Sequence, residues 1–427
     1  MFAQKVPRQL PQVRRGFARA RRRPIRPLGC GWLALAVLLA LIGGVAALVI
    51  WPGIAAQNID HLRDIIGDRA VAQLEDFALA VQDDARLTAF EAGWVKPSAP
   101  WSAARPSPTP LPGATPVPSL PAPPANDPPA SSSAPAALSA PPAPSQPAWQ
   151  LDPLSPMGSL SGEGLWSPYI QPKAGGEVLA YRTFFQPDPH RPYSVVAVVA
   201  FDLAATRLHF VLGTIEPWSG AVQQGRSGKI PASDMQPGVL LATFNGGFKA
   251  RHGGFGAMAG GITALPPTPG LATVGMYSDG SVRMGIWGND IDDSADLVAW
   301  RQNSKPLVRN GVVNPATSDL SERWGLTVDY KAITWRSALG LSADRRTLYY
   351  AAGPEVDVKT IAEVMAHVRA DQAMELDVND FWVNFAAIRA AGGQLVAEPL
   401  LPGMNREVDR YLKGYTRDYF YVTVANP

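Results

Sequence analysis

Apolar and polar positions follow four different spacings along this chain, and each predicts a different kind of segment. Residues 28–51 are apolar without a single charge. At ~1.5 Å per residue such a run is long enough to cross a ~30 Å hydrocarbon layer, and Trp32 and Trp51 fall near its two ends. In 57–94, Ile59, Leu62, Ile65, Ile66, Val71, Leu74, Phe77, Ala78 and Val81 recur at three- and four-residue steps with acids and arginines between them, the pattern of an amphipathic helix. Residues 97–150 have no periodicity. From 175 to 426 short runs alternate or are wholly apolar, which predicts strands at 178–184, 193–201, 208–214, 239–245, 274–277, 282–287, 347–352 and 419–424. Asp279-Gly280 marks a hairpin between two of them. A helix is expected over 358–371, with Ile361, Val364, Met365 and Val368 on one side and Gly353-Pro354 closing the strand before it, and another over 381–391. Many strands and few helices, not in strict alternation, predict an α+β domain with mixed or antiparallel sheets.

Charge decides the topology of the first segment. Residues 1–27 carry nine cations, Lys5, Arg8, Arg14, Arg15, Arg19, Arg21, Arg22, Arg23 and Arg26, and no acid. The positive-inside rule makes 1–27 a cytoplasmic arm, 28–51 a transmembrane helix and the remainder extracytoplasmic. A secretory signal peptide would have a shorter apolar core, of about 7–15 residues, although Gly53 and Ala55 have the sizes of a cleavage site. The segment 57–94 then lies beside the membrane, resting on the bilayer or on the outer domain, or pairs as a coiled coil that makes a homodimer.

Composition changes the picture in three places. Of 42 prolines, 18 lie between Pro97 and Pro147, where Arg105 and Asp127 are the only charges. Such a stretch cannot bury enough surface to fold, and at ~3.1 Å per residue it could hold the next domain up to ~150 Å from the bilayer. A PxxP ligand for another domain is the alternative. The single cysteine, Cys30, excludes an intrachain disulfide and any CxxC site. Without the arm, 29 basic face 36 acidic side chains, so the outer part offers nucleic acid no basic excess.

Several chemistries are excluded by spacing. His61, His190, His209, His252 and His367 form no HExxH or similar ligand pair, which argues against zinc hydrolysis; no metal ligands are assigned, and the cofactor is left open by the sequence. In Gly158-Ser159-Leu160-Ser161-Gly162 no serine is central, as a nucleophile elbow requires. Gly228-Lys229 is followed by isoleucine and is not a P-loop.

What remains is four clusters. Asn245-Gly246-Gly247-Phe248-Lys249 follows a strand and leads to Arg251, His252 and further glycines; backbone amides beside three cations suit a phosphate, while the same glycines could simply make tight turns. Arg301-Gln302-Asn303 precedes Pro306-Leu307-Val308-Arg309-Asn310-Gly311. Arg336-Ser337-Ala338-Leu339-Gly340 is the third. In the fourth, Glu375 and Asp377 would share one strand face with Asp380 in the loop beyond. Singly, Arg336 could be an ion-pair partner and Asp377 a helix cap. Together they fit an anionic sugar.

In this order the motifs resemble the phosphodiester glycosidase family over residues 239–385. The resemblance implies hydrolysis of the glycosidic bond of a sugar-1-phosphodiester. In the outer domain of an anchored protein, the substrate would be a cell-envelope glycopolymer. Asn245, Gly246 and Gly247 would shape the substrate loop, with Lys249, His252, Arg301, Asn303, Asn310, Ser337 and Asn379 around it. Arg336 would hold the phosphate, and Asp377, with Asp380 or Glu375, would supply the base or nucleophile. Where the family has Gly-Gly-Gly-Ser after the aspartate, this chain has Val378-Asn379-Asp380-Phe381. That difference implies either a variant site or a binding module that keeps the fold without the chemistry.

Overall fold

The computed structural model describes residues 62–101, 149–172, 176–219, 226–318, 333–404 and 406–425. The basic arm 1–27, the apolar run 28–51 and most of the proline-rich segment lie outside the described residues. No helix among the described residues is long and apolar enough to cross a membrane.

Three sheets carry the domain. The largest has eight strands in the order β1 (Ser167–Ile170), β2 (Ala180–Phe185), β3 (Val196–Asp202), β14 (Thr347–Val356), β13 (Thr334–Leu341), β15 (Gln372–Val378), β11 (Pro306–Arg309) and β12 (Val312–Val313). A second runs β7 (Ile262–Leu265), β6 (Ala257–Ala259), β10 (Leu297–Gln302), β8 (Ala272–Tyr277) and β9 (Val282–Ile286). The third runs β17 (Gln394–Pro399), β16 (Phe385–Ala391), β5 (Leu240–Asn245), β18 (Tyr419–Val424) and β4 (Thr206–Val211). All these ladders are antiparallel.

One core joins the three sheets. Val199, Phe201, Leu339, Tyr350 and Leu376 of the first meet Phe244, Phe385 and Phe420 of the third and Val274 and Met276 of the second. The opposite face of the eight-stranded sheet buries Val198, Ala338 and Ala351 under the helix α2 (Val358–His367), through Ile361, Val364 and Met365. A sheet covered on both faces has strands that read as continuous apolar runs, which is why β3 is buried at every position. Asp357 caps α2 by accepting from Thr360 N at 2.6 Å. The helix stops short of the expected 371 because Arg369 turns left-handed, at φ 65°.

Two local expectations are corrected. Residues 381–391 contain the strand β16 and no helix: its register pairs it with β5 on one side and β17 on the other, across the Gly392-Gly393 turn. Both faces of its first four residues, Phe385 to Ile388, are covered, so this apolar run shows no alternation to set against a helical period. Gly353-Pro354 does not end β14, which continues to Val356. Pairing with β3 stops at Ala352 and the β13 ladder is irregular between Thr334 and Arg336, so no ladder bond needs the N–H that proline lacks.

The amphipathic segment is helical over 62–66, bends at Gly67 (φ 89°) and continues as α1 (Asp68–Glu91). It docks on the β-domain: Arg191 donates to both oxygens of Asp83 at 2.7 and 2.5 Å, Arg86 pairs with Glu355 at 3.1 Å, and Phe90 meets Tyr193. Both described ends of the proline-rich segment dock on β2. Trp101 packs edge-on to Phe184 and under the Arg182 guanidinium, while Trp149 packs on Tyr181, on the other face of the sheet. Residues 102–148, which carry the expected extended linker, lie outside the described residues.

A candidate active site where four strands end

Two sheets meet at their strand ends. β5 finishes at Asn245, opposite Tyr419 at the start of β18, and β15 finishes beside the start of β13, with Val378 opposite Arg336. Asp377 N donates to Gly246 O at 3.0 Å and so ties the two sheets together. Asn245 reinforces the seam. Its Nδ2 donates to Ser337 Oγ, which donates to Asp377 O, while its Oδ1 accepts from Tyr350 Oη and Asn384 N. Asn303 Nδ2 donates to Glu375 O at 2.6 Å. Asn245, Ser337 and Asn303 thus place the backbone around Asp377, with their polar atoms used internally.

The glycine loop serves a buried ion pair. Arg301 Nε donates to Asp418 Oδ2 at 2.8 Å, with both side chains wholly buried. The remaining Arg301 nitrogens donate to the carbonyls of Phe255, Gln302 and Phe248. Gly247 N donates to Asp418 Oδ2 and Gly246 N to Asp418 O. A Cβ on Gly246 would overlap the Asp418 carboxylate, and one on Gly247 would sit 2.9 Å from Arg301 Cζ. The amides expected to cradle a phosphate are therefore consumed by Asp418, and the glycines let the chain pass the pair. Gly247→Ala is expected to lower unfolding free energy by about 1–3 kcal/mol, the cost of overpacking; an unchanged denaturant midpoint would contradict this.

The groups that converge on Asp377 come mainly from elsewhere. Arg417 Nη2 is ion-paired with Asp377 Oδ2, donates to Gly247 O, and lies with its guanidinium 4.2 Å from the centre of the Trp382 ring. Lys249 Nζ is 5.0 Å from the same ring. His252 Nε2 accepts from Arg63 Nη1 at 2.9 Å, and Arg251 faces Asp64 at 3.6 Å, so the residues before α1 reach this rim. Burial, then the charges of Arg63, Arg417, Lys249 and Arg251, push the His252 imidazole down to about 2. It is neutral at physiological pH, as the Arg63 bond requires.

Asp377 is under opposing forces. Burial favours its neutral form, Arg417 and the Val378 amide favour the charged form, and burial wins, raising the carboxyl to about 6. The native state then holds a proton that the unfolded chain has released between pH ~4 and ~6. The stabilising contribution of this proton is complete below pH ~4 and lost as pH rises through ~6. Unfolding free energies of wild type and Asp377→Asn, taken from pH 3.5 to 7.5, should diverge across that window in the sense that wild type loses more.

Other residues read from the sequence fall outside this cluster. Arg336 is buried and donates to Glu375 Oε1 at 2.5 Å and to Val356 O. Glu375 and Asp377 consequently meet different partners, and burial raises the Glu375 carboxyl against the opposing charge of Arg336. Both side chains of this pair are buried, and each is engaged with the other. Asn310 sits on the β11–β12 turn, bonded to Gln372 at the opposite end of β15 from Asp377. Asp380 is on the rim, 3.4 Å from Arg406. Asn379 adopts φ 73° and its Oδ1 accepts from Phe381 N and Trp382 N, so it supplies the left-handed turn that a glycine would and aims Trp382 at Arg417. Arg417, Asp418 and Trp382 were not singled out in the sequence. The one available signal was an Arg-Asp pair directly before a strand with no polar face.

No family model and no curated protein matches the chain. Among solved structures, distant similarity extends to the catalytic domain of zebrafish N-acetylglucosamine-1-phosphodiester alpha-N-acetylglucosaminidase, auto-inhibited by its pro-peptide, with 14% identity, 60% of this chain and 86% of that one covered, and a TM-score of 0.36. A hypothetical protein from Synechocystis matches at 10% identity, 54% and 59% coverage and a TM-score of 0.32.

The chemistry available at the cluster follows from its charges. A buried carboxyl raised to about 6 is a proton acceptor at neutral pH. Arg417 and Lys249 beside it favour an anion, and the Trp382 face offers a platform for a sugar ring or a cation.

Proposed function

We propose that this chain is a glycosidase that hydrolyses the bond between a sugar and a phosphodiester in an envelope glycopolymer, held outside the membrane by the 28–51 segment. The observation that carries the reading is the raised, buried Asp377 carboxyl among cations, beside an aromatic face. Ordinary glycosidases use two carboxyl groups, one to protonate the leaving oxygen. A phosphate ester leaves without that proton, so a single carboxylate suffices. Either Asp377 takes a proton from a water whose oxygen bonds to the anomeric carbon, or its carboxylate bonds to that carbon and water then hydrolyses the glycosyl ester; in both, the C–O bond breaks with its electron pair leaving on the phosphate oxygen, whose charge the cations hold.

The test is release of free sugar from a sugar-1-phosphodiester by the full chain. No release over prolonged incubation, with retained binding of envelope polymer, would replace this reading with a non-catalytic binding module. That second reading is supported by the loop amides of Gly246 and Gly247 being already occupied by Asp418.

A further inference from the structure

Arg226 was not singled out in the sequence, and the site described above leaves it unexplained. Only 8% of it is exposed, under the Glu216-Pro217 turn, where Nη1 donates to Pro217 O at 2.8 Å. Its Nε and Nη2 have no partner among the described residues. These two nitrogens form one edge of the guanidinium, the fork that matches two oxygens of a phosphate or carboxylate. Burial pulls the guanidinium below its ordinary value, opposed first by Asp418 and then by Glu216, so Arg226 lies within electrostatic reach of both.

Neither acid satisfies the fork. Glu216 Oε2 accepts from Trp218 N and Ala250 N, which fastens the turn to the glycine loop. Asp418 is 2% exposed and gives Oδ2 to Arg301 and Gly247, while its Oδ1 has no donor among the described residues. Among the described residues, a buried cation edge and a buried oxygen of Asp418, the carboxylate whose charge acts on Asp377, therefore both lack partners. Leaving such groups unsatisfied is costly, and native proteins retain them where a ligand completes them. One ligand completes both if it carries an anionic oxygen pair and a hydroxyl.

We propose that Arg226 is the phosphate seat of this site, gripping two phosphoryl oxygens through Nε and Nη2, while Asp418 Oδ1 accepts a hydroxyl of the attached sugar. This rests on the reading of the site as one for a sugar phosphate. It transfers to Arg226 the role that the sequence assigned to Arg336.

Calorimetric titration of the full chain with inorganic phosphate and with glucose 1-phosphate tests the seat. Wild type is expected to bind both, the sugar phosphate more tightly, and Arg226→Gln to weaken both by at least about tenfold. Arg226→Lys should keep part of the affinity, because the charge remains and the fork is lost. Thermal melting supplies a readout that a structural arginine would give differently. Without ligand, Arg226→Gln should melt at or above the wild-type temperature, since a buried unpaired charge has been removed, and phosphate should raise the melting temperature of wild type alone. Unchanged phosphate affinity in Arg226→Gln, no phosphate binding by wild type, or a lower melting temperature of the ligand-free variant would each overturn the proposal. Sugar release with an unaltered KM in Arg226→Gln would remove the seat and keep the glycosidase. Arg226-dependent phosphate binding without any sugar release would keep the seat and remove the glycosidase.

Discussion

Arg301→Met is expected to lose about 3–5 kcal/mol of unfolding free energy, because it strands the Asp418 carboxylate in a wholly buried position. Three carbonyls, of Phe248, Phe255 and Gln302, lose their donors at the same time. The double variant Arg301→Met with Asp418→Leu removes the stranded charge and should recover part of the loss. Full recovery is not expected, since Gly247 N would then have no acceptor. Guanidinium denaturation midpoints at constant slope decide this; a single variant as stable as wild type would show that the pair does not support the loop. An outcome in which the double variant is worse than the single would assign the cost to packing instead of charge.

Asp377→Asn is expected to lower sugar release from a sugar-1-phosphodiester by about 10²–10⁴-fold, the range for loss of a positioned proton-transfer group. The amide keeps the shape and abolishes the basicity. For wild type, the same carboxyl must be ionised to act, so activity should fall as pH drops through about 6 and level off above it. That limb should be absent from the residual activity of the variant. Turnover within twofold of wild type, or an activity that rises below pH 6, would take Asp377 out of the base or nucleophile role.

The strands most readily legible were those with clear boundaries: β18 over 419–424 and the β8–β9 hairpin at Asp279-Gly280 coincide with their expected places. The α2 start was legible as well, from the three- and four-residue apolar spacing, and the structure adds the Asp357 cap directly before it. β16 was not, since burial on both faces over Phe385 to Ile388 removes the alternation by which a strand is recognised. The segment 57–94 was legible as a helix, while its docking through Asp83, Arg86 and Phe90 depends on partners more than a hundred residues away.

For the site, the sequence by itself determined the chemistry on offer: an aspartate ending a strand, a glycine loop after an asparagine, and basic residues close behind it. Only the tertiary structure decided which charges meet. It spent Arg336 on Glu375 and Arg301 on Asp418, and it brought Arg417 to Asp377 from the far end of the chain. The reason is physical: in a sandwich of antiparallel sheets, the environment of a side chain is set by ladder register and by the sheet packed opposite, and neither is encoded in the spacing of its neighbours along the chain.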